Sequence, residues 1–523
     1  MTVTPIGPSG QSVDMTTADQ TFGQLGNHIG AQTAPAFLTL QQLSDAEQAM
    51  ISRGITEITS KRYRLELHDA FFRGTQRIAD LGISIPPQMR GLKIALGWPR
   101  VCVETLEERL KFEGFRFPGA TDVDEDLQAL LQANNVDSEA PLVHLDALVF
   151  GEGYLSVGSN ADDPSRPILT VESPLDMAVH WDARTRQITD GVRIYGTAGA
   201  MRATLYKKGE TVWAAADGLG GWVLDDSVEG RDAHGLDRVP LVRFANRARS
   251  YDRSGASEIT PEVMSITDEA SRTAQGLAVA REFYSAPQKY ILGAKESDFQ
   301  DAQGNTKSAW ETYLGRVLAL EADEDGNQPT VGQFTAYDPT VFTKVIEMYA
   351  KALSGVTGLP PHVLGYASDN PTSADAIIKG EMRLKLRADR KTTIFGDPWT
   401  EAGRLLLLFR DGSLPDNAEL LTAVWGDTGT PTPAATTDAI AKQIAAGAIP
   451  AASDVTLERL GYSAVERQRL AQDRAADQGA SFLEQIAHSV EAKAFRADST
   501  LVHEAQAPAT PTVKPADGNA NAG

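Results

Sequence analysis

One cysteine, Cys102, stands among the 523 residues. It excludes an intrachain disulfide and a cysteine-based metal knuckle, and it points to a reducing, cytoplasmic setting. Long apolar runs are missing too. Nothing approaches the roughly 18 consecutive apolar residues that cross a bilayer, and the longest burst, Leu405 to Phe409, belongs to a helical pattern. No membrane partner is expected. The first 36 residues hold no Lys or Arg and no apolar run, but are rich in Thr, Gln, Gly and Ser. They read as a flexible arm and not as a secretion signal.

Enzyme signatures are equally scarce. A nucleotide-driven motor needs the phosphate cradle Gly-x-x-x-x-Gly-Lys-Ser/Thr, and the chain lacks it. Gly304-Asn305-Thr306-Lys307-Ser308 has the Lys-Ser pair without the adjoining glycine, and Gly218-Leu219-Gly220-Gly221 falls in β-prone sequence, where a tight turn is expected. His-Glu-x-x-His and Gly-x-Ser-x-Gly are absent, and the eight histidines are scattered, which removes zinc-hydrolase and hydrolase-elbow readings. Carboxylates cluster at Asp122, Asp124, Glu125 and Asp126, and again at Glu321, Asp323, Glu324 and Asp325. Metal-dependent nucleases draw such groups from separate elements in a dry pocket. Two contiguous runs in turn-like sequence read as solvated loops, the second as an acidic turn. No catalytic, cofactor or metal site is expected.

Positive charge is also short. With 49 Lys and Arg against 70 Asp and Glu, the net charge is −21. Proteins that grip a duplex present cations to the phosphates, and an acidic surface repels them. The balance disfavours a protein that holds DNA but not one that lets DNA slide past. At 42% hydrophobic and 23% charged, the chain is an ordinary globular one, long enough for more than one domain.

What the sequence does contain divides into two halves. Ser44-Asp45-Ala46-Glu47 has capping-box form at a helix start. Helices are predicted over about Arg100 to Glu113, with Gly114 as C-cap, then Asp124 to Ala133 and Ser138 to Phe150, divided by Asn134-Asn135. Short β-prone runs follow from Tyr154 to Phe244: Tyr154–Val157, Ile168–Val171, Met177–Trp181, Val192–Tyr195, Ala203–Tyr206, Thr211–Trp213, Trp222–Leu224 and Pro240–Phe244. Turns at Asp190-Gly191, Lys208-Gly209 and Gly218 to Gly221 make this an antiparallel meander. The second half is helical. Thr260-Pro261 starts one helix, another runs from about Pro339 to Val356, and Gly358-Leu359-Pro360-Pro361 stops it. A long helix runs from about Thr372, with Asp375 at capping-box spacing, to Phe409, with a kink or break expected at Pro398. A smaller helical unit spans about Thr436 to Phe495, before an Ala-, Pro- and Thr-rich tail. The fold class is α+β, mostly helical.

Two passages carry a resemblance. Leu359-Pro360-Pro361-His362-Val363-Leu364-Gly365, followed by Asn370-Pro371-Thr372-Ser373-Ala374-Asp375-Ala376-Ile377, is similar to the helix–loop–helix passage of portal proteins from long-tailed bacteriophages, the actinobacterial-phage type in particular. Arg383 to Lys391, Phe395-Gly396 and Trp399 continue it. Glu107 to Phe115, Asn134 to Asp137, Leu148 to Tyr154, Ile444 to Pro450 and Leu457 to Tyr462 resemble further blocks of that family, in its order, from about residue 40 to 475.

The resemblance implies a portal fold with an α+β wing, a two-helix stem, a small α/β clip and a C-terminal helical crown. Transferred to this chain, that gives a flexible arm at 1–39, wing at 40–257, stem helix at 258–285, clip at 286–338, second stem helix at 339–357, tunnel loop at 358–372, long wing helix and return at 373–433, crown at 434–495 and a disordered tail at 496–523. It implies a homo-oligomeric ring, usually a dodecamer, at one capsid vertex of the virion, assembled in the host cytoplasm. Double-stranded DNA would pass through it without sequence-specific contact during packaging and ejection. The terminase large subunit, a head–tail adaptor, and the major capsid and scaffold proteins would be its partners. Leu359, Pro360, Pro361, His362, Leu364, Gly365, Asp369, Asn370 and Pro371 would form the constriction, and Leu359→Asp would impair packaging in a folded subunit.

Lys379, Arg383, Lys385, Arg387, Arg390 and Lys391 spread over more than one helix face and are candidates for DNA or inter-subunit contacts. From Glu258 to Thr357 the chain has 15 acidic and 8 basic residues. These charges would either line the channel or occupy outer and inter-subunit faces. The competing readings are a packaging nuclease or ATPase, and another minor head or adaptor protein.

Overall fold

The computed structural model describes residues 43–77, 94–120, 123–225, 227–228, 230–284, 289–293, 329–333, 338–366, 374–429, 433–462 and 466–476. The chain divides into two compact units, Met1–Thr428 and Gly429–Gly523.

The first unit opens with helix α1 (Asp45–Arg73), capped as its sequence predicts. The Ser44 N–H donates to Glu47 Oε2 at 2.7 Å and the Glu47 N–H to Ser44 Oγ at 3.3 Å, so two orphan donors of the first turn are satisfied at once. Helix α2 (Trp98–Glu107) carries Pro99 in its first turn and ends before the predicted Glu113. Phe112–Arg116 is instead strand β1. Its partner Thr422–Trp425 lies three hundred residues on, and that pairing overrides a local helical pattern. Gly114, expected as a cap, sits inside β1 at φ 133°, where a Cβ would meet Gln128 Oε1.

Helices α3 (Glu125–Ala133) and α4 (Val136–Phe150) are divided at Asn135, in the left-handed region at φ 51°, a conformation asparagine tolerates. Strands β2 (Glu152–Gly158), β3 (Ile168–Glu172), β4 (Met177–Trp181), β5 (Ile188–Thr197), β6 (Ala200–Tyr206), β7 (Thr211–Ala216), β8 (Trp222–Leu224), β9 (Arg231–Asp232) and β10 (Leu241–Ala245) follow. They form two sheets, not one. β4 to β8 are an antiparallel meander with β9 on β7, while β2 is flanked by β10 and β3. Asp190-Gly191, predicted as a turn, lies within β5, and a Cβ on Gly191 would meet Leu241 Cδ1. The glycine marks close packing between strands, not a reversal.

Helix α1 lies on the meander. Ile51 and Ile58 pack with Val192, Leu205 and Val212, and Gly54 admits the Val192 side chain, which a Cβ would meet at 3.0 Å. His180 on β4 fastens the two together, with Nε2 2.7 Å from Glu57 Oε2 and Nδ1 2.7 Å from Asp190 Oδ1. Hydrogen bonds to Asp190 and then Glu57 push its pKa up to about 9. A raised folded-state pKa gives stability that is complete below the ordinary value near 6.5 and is lost as pH climbs through 9. Relative to His180→Gln, wild type should be more stable at pH 6 by about 1 kcal/mol and equal to it by pH 10. Urea unfolding of both proteins across that range checks this.

Beyond β10, helix α5 (Pro261–Tyr284) runs out, strands β11 (Lys289–Leu292) and β12 (Thr330–Gln333) pair antiparallel, and helix α6 (Thr340–Thr357) returns. α5 and α6 pack together, with Gly276 at the Phe342 ring. Helix α7 (Ala374–Asp411) then crosses the unit, unbroken at Pro398. Its buried Phe395, Trp399, Ala402, Leu405 and Leu406 outweigh the one backbone hydrogen bond a proline removes. Trp399 stacks on Phe112 at 4.2 Å and donates to His144 Nε2 at 2.9 Å. Strand β13 (Thr422–Trp425) closes the unit on β1.

The second unit holds helices α8 (Pro433–Ala445) and α9 (Asp454–Arg459), the latter capped by Ser453, and a helical stretch at 466–476. The fold is mixed α+β, as the sequence predicts.

Candidate functional site

The passage from α6 to α7 is where the resemblance places the channel loop, and its first half is built into the body. Gly358 caps α6 at φ 73°, and a Cβ there would strike the Arg383 side chain. Arg383 in turn donates to the Gly355 carbonyl at 3.1 Å, a cation at the negative end of a helix. Leu359 is 1% exposed and sits in the main core with Leu353, Leu364 and Leu384. Pro360 is buried as well; Pro361, His362 and Gly365 are exposed, around a short 3-10 turn at Pro361–Leu364. Of the nine predicted constriction residues, Leu359, Pro360 and Leu364 are therefore core side chains and cannot face a channel. Asp369, Asn370 and Pro371 lie outside the described residues, as does the acidic turn Glu321, Asp323, Glu324 and Asp325.

The predicted basic cluster resolves into two groups. Lys391 is buried, with its ammonium 2.7 Å from Glu258 Oε1, and Arg387 lies 2.5 Å from Glu258 Oε2. Lys391 also donates to Asn246 Oδ1. Lys385 is engaged by Asp427 at 3.0 Å and Thr428 Oγ1 at 2.8 Å. Arg383 and Arg390 are exposed, and the side chain of Lys379 is outside the described residues. Lys391, predicted as a DNA or inter-subunit contact, is 5% exposed and thus has no access to a phosphate.

Sequence reasoning missed the centre of this arrangement, Glu258. It precedes α5 and is 4% exposed. Burial alone would raise its carboxyl, but Lys391 and then Arg387 outweigh it and hold the pKa at about 2. Desolvation conversely lowers Lys391. Arg247, 3.7 Å away, and the Asn246 amide complete the shell. The buried group ties the root of α5 to α7 at the level where α6 ends. The one signal available was Arg387 and Lys391 at i, i+4 on one helix face; nothing in the sequence names their partner.

Cys102 is buried near Glu258 and Arg387, and burial pushes its thiol up to about 12, so it stays protonated. Among the described residues no cluster of three or more His, Cys, Asp or Glu could hold a metal ion, and no helix is long and apolar enough to cross a membrane.

The charge excess also has a location. Helices α5 and α6 carry five acidic and four basic residues, so they are nearly neutral, and Glu258 is neutralised internally. Between the helices stand nine acidic and four basic residues, a net of −5. The excess therefore belongs to the segment joining the helices and not to the helices themselves.

Known proteins resemble this chain. The family described as phage portal protein, SPP1 Gp6-like, matches residues 53–455. The portal protein of Mycobacterium phage D29 is 36% identical over 428 residues, 80% of this chain and 86% of that protein. The portal protein of Mycobacterium phage L5 is 35% identical over 418 residues, 78% of this chain and 84% of that one. Among solved structures, a chain from the neck of a native GTA particle computed with C12 symmetry aligns with a TM-score of 0.39 at 15% identity, over 70% of this chain and 90% of that one.

Proposed function

The chain belongs to the phage portal family of SPP1 Gp6-like proteins, and from that premise we propose how its parts serve a ring at one capsid vertex through which DNA enters and leaves. The observation that carries the reading is the family match across residues 53–455. As a portal it is a structural component of the virion, and the chemistry of DNA movement belongs to its partners.

α5 and α6 are the stem and the segment between them, with β11 and β12, is the clip. The body from α1 to β10, together with α7 and β13, is the wing. The second unit contains the crown. Support comes from the packing of α5 on α6, from the β11–β12 pairing, and from the division of the chain at Thr428. The net −5 of the clip segment would repel phosphate and keep DNA from adhering as it passes. The terminase large subunit and the head–tail adaptor would dock on that segment, and assembly with capsid and scaffold proteins would take place in the host cytoplasm.

Within the loop, the part after Gly365 is the channel constriction. Shortening 367–372 by three residues is expected to leave rings intact while packaged DNA falls at least tenfold in an in vitro packaging assay; an unchanged yield would remove the constriction from this loop. The parent reading is tested by mass photometry and negative-stain microscopy of the purified chain. Rings with a central hole are expected. A discrete dimer with divalent-dependent nuclease activity would overturn it.

A further inference from the structure

In a chain with 70 acidic and 49 basic side chains, an exposed surface dominated by arginine calls for a partner. The loop from β10 to α5 is such a surface. It reads Asn246-Arg247-Ala248-Arg249-Ser250-Tyr251-Asp252-Arg253, with the three arginines exposed and Tyr251 79% exposed.

The loop is shaped from beneath. Arg243 donates to the Arg253 carbonyl at 2.6 Å, the Arg249 N–H to the Asp252 carbonyl at 2.8 Å, and the Ala256 N–H to the Asn246 carbonyl at 2.7 Å. Arg247 takes the left-handed region at φ 50°, which costs a residue with a Cβ about 1 kcal/mol or more. The Arg249 guanidinium lies over the Tyr251 ring, 5.1 Å from its centre. Asp252, the loop's own carboxylate, is turned onto the Ser254 hydroxyl and N–H. Arg64 on α1 adds its field at Asp252, beside Tyr63, which is 70% exposed. Arg247 is already 3.7 Å from Glu258, whereas among the described residues Arg64, Arg249 and Arg253 are in no ion pair. These three are exposed cations, the last two on a loop whose backbone is held by these bonds, and they are open to an anion from outside.

The same subunit has the complementary fault elsewhere. Glu104, Glu107 and Glu108 crowd the last turn of α2, which holds no basic residue. Acidic groups at a helix C-terminus oppose its dipole, and Glu104 and Glu108 repel at i, i+4. Arg109, the neighbouring cation, is turned away to Glu381 at 3.3 Å and to the Thr428 carbonyl. Burial first, then Glu108 and Glu104, push the Glu107 carboxyl up to about 7. An arrangement that costs the isolated subunit stability is one that an external cation relieves.

We propose that the Arg247–Arg253 loop, with Arg64, is a docking surface for a second copy of this chain, receiving the Glu104–Glu108 carboxylates of the neighbouring subunit. The inference rests on the ring-forming reading and names the contact that closes the ring. Two different patches meeting head to tail form a heterologous interface, the kind that generates a ring when the rotation closes. Charge complementarity and the crowding of like charges favour this occupant over duplex DNA, which would leave the acidic patch unrelieved.

The test uses the full-length chain in mass photometry across a salt series. The charge reversal Arg249→Glu with Arg253→Glu, and the opposite pair Glu104→Lys with Glu108→Lys, are each expected to lower the ring fraction at least tenfold at about 0.1 M salt, where the Debye length is about 10 Å. Combining all four substitutions is expected to restore rings. All these side chains lie outside the fully buried core, and circular dichroism melts verify that each variant folds. Wild-type ring levels in the Arg variant would overturn the proposal, as would failure of the fourfold variant to recover. Intact rings with weakened binding to a duplex would reassign the loop to DNA phosphates. A wild-type chain that stays monomeric even with scaffold protein added would remove the ring reading itself, a failure distinct from the other three.

Discussion

Glu258→Ala is expected to destabilise the subunit by about 3–5 kcal/mol, the cost of leaving buried partners of a broken ion pair uncompensated. In wild type its oxygens take Lys391 at 2.7 Å and Arg387 at 2.5 Å. Lys391 is itself buried, so without Glu258 its ammonium must either find water or lose its proton. For a unit spanning Met1–Thr428, an unfolding entropy of about 2.1 cal/mol/K per residue makes each kcal/mol worth about 1 °C, so a fall of about 3–6 °C should be read by calorimetry. Glu258→Gln keeps the shape but not the charge, and its loss should be of similar sign and smaller. Glu258→Met with Lys391→Met and Arg387→Met, which removes the carboxylate together with both cations it holds and keeps the volume apolar, should recover much of the loss. If it did not, the group would matter for position and not for charge balance. The acid side supplies an independent reading. Glu258 has a depressed pKa, so its contribution is complete above the ordinary value near 4.5 and is lost as pH falls towards 2. Glu258→Gln should therefore lose stability relative to wild type at pH 6 and little at pH 2.

This ion pair shows the boundary of what the sequence makes legible. Signals confined to a few residues came through: the Ser44 capping box, the break at Asn134-Asn135, and the strands Met177–Trp181 and Trp222–Leu224 with their exact limits. Each depends on backbone conformation or short-period alternation, which neighbouring residues specify. Features made by distant partners did not. Phe112–Arg116 is a strand because Thr422–Trp425 lies beside it, and Gly191 sits in mid-strand because Leu241 occupies the space of a Cβ. The basic stretch of α7 was visible, and so was its spread over several faces. Which face turned inward depended on Glu258, 129 residues from Arg387. The family was legible because its passages stand in order along the chain, while the assignment of single residues within them required the packing.

Leu359→Asp carries the second large effect, and it falls on folding where the family resemblance implied an effect on the channel. Leu359 is 1% exposed, its N–H donates to Thr357 Oγ1 at 3.3 Å, and its carbonyl accepts from Ser354 Oγ at 2.5 Å. The backbone is thus locked to the last turn of α6, and the side chain fills the core with Leu353 and Leu384. Truncating a buried leucine costs about 2–5 kcal/mol, and burying an unpaired carboxylate adds more unless it protonates. A loss of at least about 4 kcal/mol is expected, together with failure to form rings. His362→Ala, at an exposed position 3.8 Å from Glu381, should stay within about 0.5 kcal/mol of wild type. Thermal melts of the two variants decide the matter, and a wild-type melt for Leu359→Asp would show that the side chain is not buried. The contrast also fixes how the loop can be probed. A packaging defect in Leu359→Asp would report a lost subunit, because the residues up to Leu364 anchor the end of α6 to the body. A change after Gly365 leaves that anchor in place, so its effect on DNA passage can be assigned to the channel.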